Sequence, residues 1–312
     1  MKKSLVLFIS GLLISITFLE GAVRVISPLL GPPLSKWNTM EDAKILKLQK
    51  FRLSYQDPHY VFMGNSTTLI GVNPSVFDIE SKLRPGSSFN AAMNGSEIKQ
   101  IRDFACGYII KNVNPKNLVI LFSNVGMASD ADYVEQKTNS SSIGMYSYIY
   151  RYRNTFRDPM TINTFMRIAI YRDTRQGLVY RWADNLDDFG YTKYATSNSA
   201  IINPGWDPNR FRNFQELSLP RIEARSMKYL EEIRDYTLAS GGSLIIGTVP
   251  TLTFDPVYRG TIEGMAKYLG VDFVQGNNAF GKGKYFQDEV HLNQMGATIF
   301  SKFLSSELAK LR

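Results

Sequence analysis

Cysteine and histidine are nearly missing from this sequence: 312 residues hold one cysteine, Cys106, and two histidines, His59 and His291. A single thiol excludes an internal disulfide framework and a thiolate zinc site. Two imidazoles exclude a histidine-rich metal cluster, and no cofactor is expected. The same scarcity narrows the catalytic question, because an imidazole base must be one of these two residues. Internal repeats and low-complexity tracts are absent as well. Charged residues at 21% and hydrophobic residues at 44% describe a globular chain, long enough for one large domain or two modest ones. The formal net charge of +8 is compatible with nucleic acid, an anionic membrane or a solubility surplus, and composition does not separate these.

Charge is also missing from one particular stretch. After Met1-Lys2-Lys3, the run from Leu5 to Leu19 carries no charged residue. Basic residues ahead of an apolar run are the pattern of an export signal or of an anchor with its amino end in the cytoplasm. A full span needs about 20 residues, which the run reaches by continuing to Ile26, with Glu20 and Arg24 near the interface. Pro28 stops it. No A-x-A cleavage pattern and no lipobox cysteine follow, so an uncleaved signal anchor over 1–30 is the expectation. A cleaved signal and a buried apolar helix are the alternatives. Either export reading places residues 31–312 outside the cytoplasm, where the charge excess suggests an anionic envelope surface or polymer before nucleic acid.

Beyond residue 58 the pattern alternates between strand and helix. Strands are expected at His59–Met63, Ser87–Asn90, Asn117–Ser123, from Ser243 through SLIIGTVP, and at Gly270–Val274. The run NLVILFS is apolar throughout, as in strands buried on both faces of a parallel sheet. Helices are expected from Ser96, as N-cap, through Lys111, over Ile222–Leu238, and after the cap residue Asn293, with Met295, Ile299, Phe303, Leu304 and Leu308 on the apolar face. This alternation predicts a three-layer α/β sandwich with a mainly parallel central sheet. Ligands then sit at the carboxyl ends of the strands. Residues 128–220, rich in tyrosine and arginine, break the rhythm and suggest an inserted cap or partner surface.

Four blocks fall where strands end or the last helix begins: Gly64-Asn65-Ser66-Thr67, Asn90 to Ser96 with Gly95 inside it, Ser123-Asn124-Val125-Gly126, and Asp288 to Asn293 around His291. Taken singly, each is ordinary turn chemistry. A carboxylate three residues before an imidazole, however, is placed to orient it. His59, beside Pro58 and near only Asp57, is read as structural.

In order, the four blocks resemble those of the SGNH (GDSL-like) hydrolase superfamily. Ser66 in GNST, Gly95 in NAAMNGS, Asn124 in FSNVG and His291 in DEVHLN match the family's Ser, Gly, Asn and His. Asp288 matches its third triad member. The resemblance spans about Tyr60 to Leu308 and leaves the anchor and the insertion outside it. Asn65 replaces the commoner Asp, and Phe122-Ser123 replace the usual glycines. The resemblance implies a flavodoxin-like sheet and acyl transfer through an acyl-serine. Ser66 would be the nucleophile, His291 the base and Asp288 its orienter. The Ser66 and Gly95 amides and the Asn124 side chain would form the oxyanion hole.

An anchor joined to such a domain resembles the envelope-facing SGNH proteins that work with a multi-spanning MBOAT-type acyl donor protein. That implies a membrane-anchored O-acetyltransferase acting on an exported polysaccharide or similar polymer, with the tyrosines and arginines of the insertion suited to sugar faces and anionic groups. An esterase using the same triad with water, and a non-catalytic assembly partner, are the other readings. Three sequons, beginning at Asn65, Asn94 and Asn139, carry no weight, since two would put glycans in the site. Cys106 is expected to be a small buried hydrophobe.

Overall fold

A computed structural model describes residues 6–15, 17–18, 39–123, 183–192, 224–252, 256–276, 283–288 and 290–311. The chain divides into two compact units, residues 1–46 with 141–183, and residues 47–140 with 184–312. In the first unit, residues 6–15 and 17–18 are helical, and the apolar side chains from Val6 to Phe18 that are described there are exposed. Among the described residues no helix is long and apolar enough to cross a membrane. The anchor expected over 1–30 falls largely outside the described residues.

The second unit is built on five parallel strands: β1 (Tyr60–Gly64), β2 (Ser88–Asn90), β3 (Asn117–Phe122), β4 (Ser243–Thr248) and β5 (Asp272–Val274). Their order in the sheet is β2-β1-β3-β4-β5. The chain steps one way from β1 to β2 and the other way from then on, so right-handed crossovers put the helices between β1 and β2 and those between β2 and β5 on opposite faces. On one face lie α2 (Ser66–Gly71), α3 (Pro74–Glu80) and the last helix, α7 (Gln294–Lys310). The opposite face takes α4 (residues 98–112), α5 (Ala224–Ala239) and α6 (Pro256–Leu269). Helix α4 runs from Ile98 to Asn112 with a π turn at Ala105–Ile109, which buries Cys106. A further helix, α1 (Thr39–Ser54), precedes the sheet.

Side chains alternate across a strand, and the burial follows that period. Tyr60, Phe62, Val119, Leu121 and Ile245 meet Val72, Phe77, Phe300, Leu304 and Leu308 in one apolar cluster beneath α2, α3 and α7. Val61, Met63, Leu118, Ile120, Leu244 and Ile246 are equally buried on the other face. The three-layer parallel α/β architecture expected from the apolar runs is the one observed.

Two helix details differ from the sequence expectation. The stripe of α7 that is buried runs through Ala297, Phe300, Leu304 and Leu308, while Met295 is exposed, because it falls off that stripe. The N-cap of α4 is Glu97, whose amide donates to Gln100 Oε1 (3.2 Å); Ser96 is turned elsewhere.

Most of the Tyr/Arg-rich stretch 128–220 lies outside the described residues. Its described part, 183–192, closes the β2 edge. The Asn90 amide donates to the Phe189 carbonyl (2.9 Å), and the Phe189 ring packs on Phe51 and Tyr55 at centroid distances of 6.0 and 5.4 Å. Covering an edge in this way removes a template for strand pairing with another chain.

Candidate active site

The carboxyl end of β1 turns directly into α2. A Cβ at Gly64 would collide with Thr68 Oγ1 and come within 2.6 Å of the Leu121 carbonyl oxygen, so only glycine lets the helix start so close to β3. Asn65 caps the helix: its Oδ1 accepts from the Thr67 amide (3.1 Å) and the Thr67 hydroxyl (2.7 Å). Ser66 is the first helical residue, so its amide has no intrahelical acceptor. The other end of α2 is held by Asn90, fully buried at the end of β2. Its Nδ2 lies 2.8 Å from the Val72 carbonyl, 3.0 Å from that of Thr68 and 3.3 Å from that of Leu69. A short helix gripped at both ends fixes where the Ser66 side chain stands.

His291 arrives from the other direction, on a tight loop before α7. Phe286 and Leu292 form an antiparallel bridge, and the Gln287 amide donates to the His291 carbonyl (3.0 Å). Asn293 then accepts from the Gly296 amide as N-cap of α7 and donates through Nδ2 to the Lys284 carbonyl (2.8 Å). Within the loop, Asp288 Oδ1 accepts from the amides of Val290 (2.9 Å) and His291 (2.8 Å). That closure leaves Asp288 Oδ2 facing His291 Nδ1 at 2.8 Å.

These two loops meet. His291 Nε2 lies 2.8 Å from Ser66 Oγ, across 225 residues of sequence. A carboxylate on Nδ1 fixes the proton there, so Nε2 is the acceptor for the Ser66 hydroxyl. Burial alone would raise the pKa of Asp288. The bond from the His291 ring and the two loop amides outweigh it and hold the carboxyl below its usual range. The ring therefore faces a charged carboxylate throughout the neutral range.

No family model and no curated protein matches this chain. Among solved structures, it is similar to a GDSL-like lipase from Bacteroides thetaiotaomicron VPI-5482, at 13% identity over 88% of this chain and 100% of that one, with a TM-score of 0.43. It is also similar to a candidate acylhydrolase from Bacteroides fragilis NCTC 9343, at 13% identity over 86% and 98% of the two chains, with a TM-score of 0.39. Likenesses this distant leave the chemistry to be argued from the site itself.

Of the remaining expected site residues, Gly95 stands in an exposed turn at φ 63°, a conformation glycine adopts without strain, and its amide makes no hydrogen bond among the described residues. The turn is pinned to the end of β1, since the Gly64 carbonyl accepts from both the Met93 amide (3.1 Å) and the Ser96 hydroxyl (2.7 Å). Ser96 thus ties two blocks together, whereas its position before an amphipathic run had suggested a cap. Asn124 lies outside the described residues. Ser123, just before it, is buried, and its Oγ accepts from Asn65 Nδ2 at 3.2 Å. Positions 65 and 123, two of the places where the blocks depart from the commoner family pattern, are therefore bonded to each other.

His59 is exposed at the opposite, amino end of β1. Its backbone donates to the Ser87 carbonyl and accepts from the Asn117 amide, both at 2.8 Å, which brings it into the sheet and not to Ser66. Asn65, Ser96, Ser123 and Asn90 escaped sequence reasoning as parts of the site. Only Asn65 carried a local signal, an Asn two residues before a Thr at a helix start. Among the described residues no group of His, Cys, Asp and Glu side chains is arranged to hold a metal ion.

Proposed function

We propose that this chain is an SGNH-type serine acyl-transfer enzyme, anchored to a membrane by its amino-terminal segment and acting on an exported envelope polysaccharide. The observation that carries the chemistry is the chain Ser66 Oγ, His291 Nε2, His291 Nδ1, Asp288 Oδ2, with 2.8 Å at each hydrogen bond. Side chains from two loops, 225 residues apart in sequence, converge where a nucleophile, a base and an orienter are needed.

In the reaction, Ser66 Oγ attacks the carbonyl carbon of an acyl ester while its proton passes to His291 Nε2. The tetrahedral intermediate collapses with that proton given to the departing alcohol, leaving an acyl-serine. A sugar hydroxyl then gives its proton to His291 and takes the acyl group, which regenerates Ser66. The amides of Ser66 and Gly95, with the Asn124 side chain, serve as oxyanion donors, each worth about 3 kcal/mol of transition-state stabilisation. Asp288 stays ionised and stabilises the imidazolium formed in both steps.

The placement at a membrane rests on Lys2 and Lys3 before an uncharged run and on the exposed apolar side chains of the helical residues 6–15 and 17–18. The net charge of +8 suits an anionic envelope polymer. A multi-spanning acyl donor protein of the MBOAT type is the partner this arrangement calls for. Hydrolysis uses the same groups with water in place of the sugar, so the site makes an esterase the second reading.

Product analysis separates the two. Incubated with an acetyl ester and an oligosaccharide, the purified protein is expected to form acetylated oligosaccharide faster than free acetate. Release of acetate alone, over a range of acceptor oligosaccharides, would make the protein an esterase.

A further inference from the structure

The Asn65 side chain does two jobs with its two ends, and the assignment of those ends is not arbitrary. The Thr67 amide can only donate, so the atom 3.1 Å from it is the amide oxygen. The NH2 group must then be the end facing Ser123, at 3.2 Å from its Oγ. Asn65 immediately precedes the nucleophile, and Ser123 immediately follows β3. Their bond joins the turn that presents Ser66 to the end of the central strand, 58 residues away in sequence.

We infer that Asn65 and Ser123 form a positioning pair, which holds the Ser66 turn at a fixed height above the carboxyl end of β3 so that Oγ stays within reach of His291. The inference rests on the proposed role of Ser66 as nucleophile.

Three observations point the same way. Thr68 Oγ1 donates to the Leu121 carbonyl (3.2 Å), so the first turn of α2 is tied to β3 at a second point one strand residue away from the end. Gly64 permits this approach by having no side chain. Ser123 is 1% exposed, so its end of the bond is shielded from competing water, while Asn65 is half-buried. A nucleophile hydrogen-bonded to its base over 2.8 Å tolerates little displacement, because a shift on the order of 1 Å can cost about a hundredfold in rate. The amide of Asn65 does not touch the reacting atoms. It sets where they are.

The test uses the full chain and a fluorophosphonate that labels active serines, at a temperature where every variant is folded by circular dichroism. Wild-type protein is expected to be labelled at Ser66. Ser123→Ala, which removes the hydroxyl and little else, is expected to slow labelling about tenfold, a change of roughly 1.4 kcal/mol in the barrier. With an acetyl ester substrate, the same variant is expected to lose kcat with KM unchanged. Asn65→Ala, which also loses the cap, is expected to be slower still. Adding Ser123→Ala to it should cost nothing more, since the bond is already gone. Asn65→Asp accepts from Thr67 and from the Ser123 hydroxyl turned about, and is expected to recover most of the rate lost in Asn65→Ala.

A Ser123→Ala protein labelled at the wild-type rate, or one whose melting temperature falls while its labelling rate holds, would overturn the pair as a positioning device and leave the nucleophile standing. Wild-type protein that is folded yet unlabelled at Ser66 would overturn both.

Discussion

Asp78, at the amino end of the sheet, and Asp288, at the carboxyl end, begin with the same contact. Asp78 Oδ2 accepts from the amides of Gly86 and Ser87, both at 3.0 Å, and so shapes the turn into β2. Asp288 Oδ1 accepts from the amides of Val290 and His291 in the same manner. Their second oxygens differ. Asp78 Oδ1 is buried without a hydrogen-bond partner, and the neighbouring Ser88 hydroxyl donates to the Pro74 carbonyl (3.2 Å). Asp288 Oδ2 has the His291 ring. Burial therefore lifts the pKa of Asp78, whereas at Asp288 burial is outweighed by the ring and the amides together, which lower it. Two amides build a turn at either end of the sheet. A partner for the second oxygen is what turns a structural carboxylate into a group able to orient a base.

The carboxyl end should break hardest. Ser66→Ala and His291→Ala are each expected to lower kcat for an acetyl ester by at least about a thousandfold, while Asp288→Asn keeps roughly tens-fold more turnover than either. Steady-state kinetics on the three variants checks the order. If Asp288→Asn retained full activity, the pairing of its second oxygen with the ring would mean nothing for catalysis.

The amino end should respond in stability and not in rate. The pKa of Asp78 is raised by folding, so its contribution is greatest when it is neutral, below the ordinary carboxyl value of about 4, and is lost as pH rises through the raised folded value. Asp288, lowered by folding, contributes above the ordinary value and loses that contribution as pH falls through the lower folded one. Asp78→Asn is expected to flatten the decline in stability on the alkaline side of pH 4, with a change within about 1 kcal/mol at neutral pH, read by urea unfolding across pH. Activity should stay within twofold of wild type. The smallest effect belongs to His59→Gln, an exposed change expected to stay within about 0.5 kcal/mol in stability and to leave turnover unaltered. A large loss of turnover there would undo the assignment of the base to His291.

Much of this arrangement was legible before any coordinates. Continuous apolar runs marked β3 and β4 because strands buried on both faces of a parallel sheet cannot alternate with polar residues. Asn293 announced α7, and Asp288 announced the His291 loop, since both act on backbone within three residues of themselves. What stayed hidden acts at long range. The bond between Asn65 and Ser123, the Ser96 hydroxyl on the Gly64 carbonyl and the Asn90 amide on the end of α2 depend on strand register. Register is set by the whole sheet, so no local pattern records it. Ser96 was misleading for the same reason: a serine before an amphipathic run looks like a cap until β1 lies beside it. The exposure of Met295 and the π turn through Cys106 likewise follow from how helices seat on the sheet, which a helical period alone does not specify.

The central claim is that Ser66 is an activated nucleophile. Its most direct test is reaction of the full chain with a fluorophosphonate, followed by peptide mass spectrometry. The account predicts a single phosphonylated serine, Ser66, and loss of that label in His291→Ala. Modification of another serine in the folded protein, or no modification at all, would contradict it.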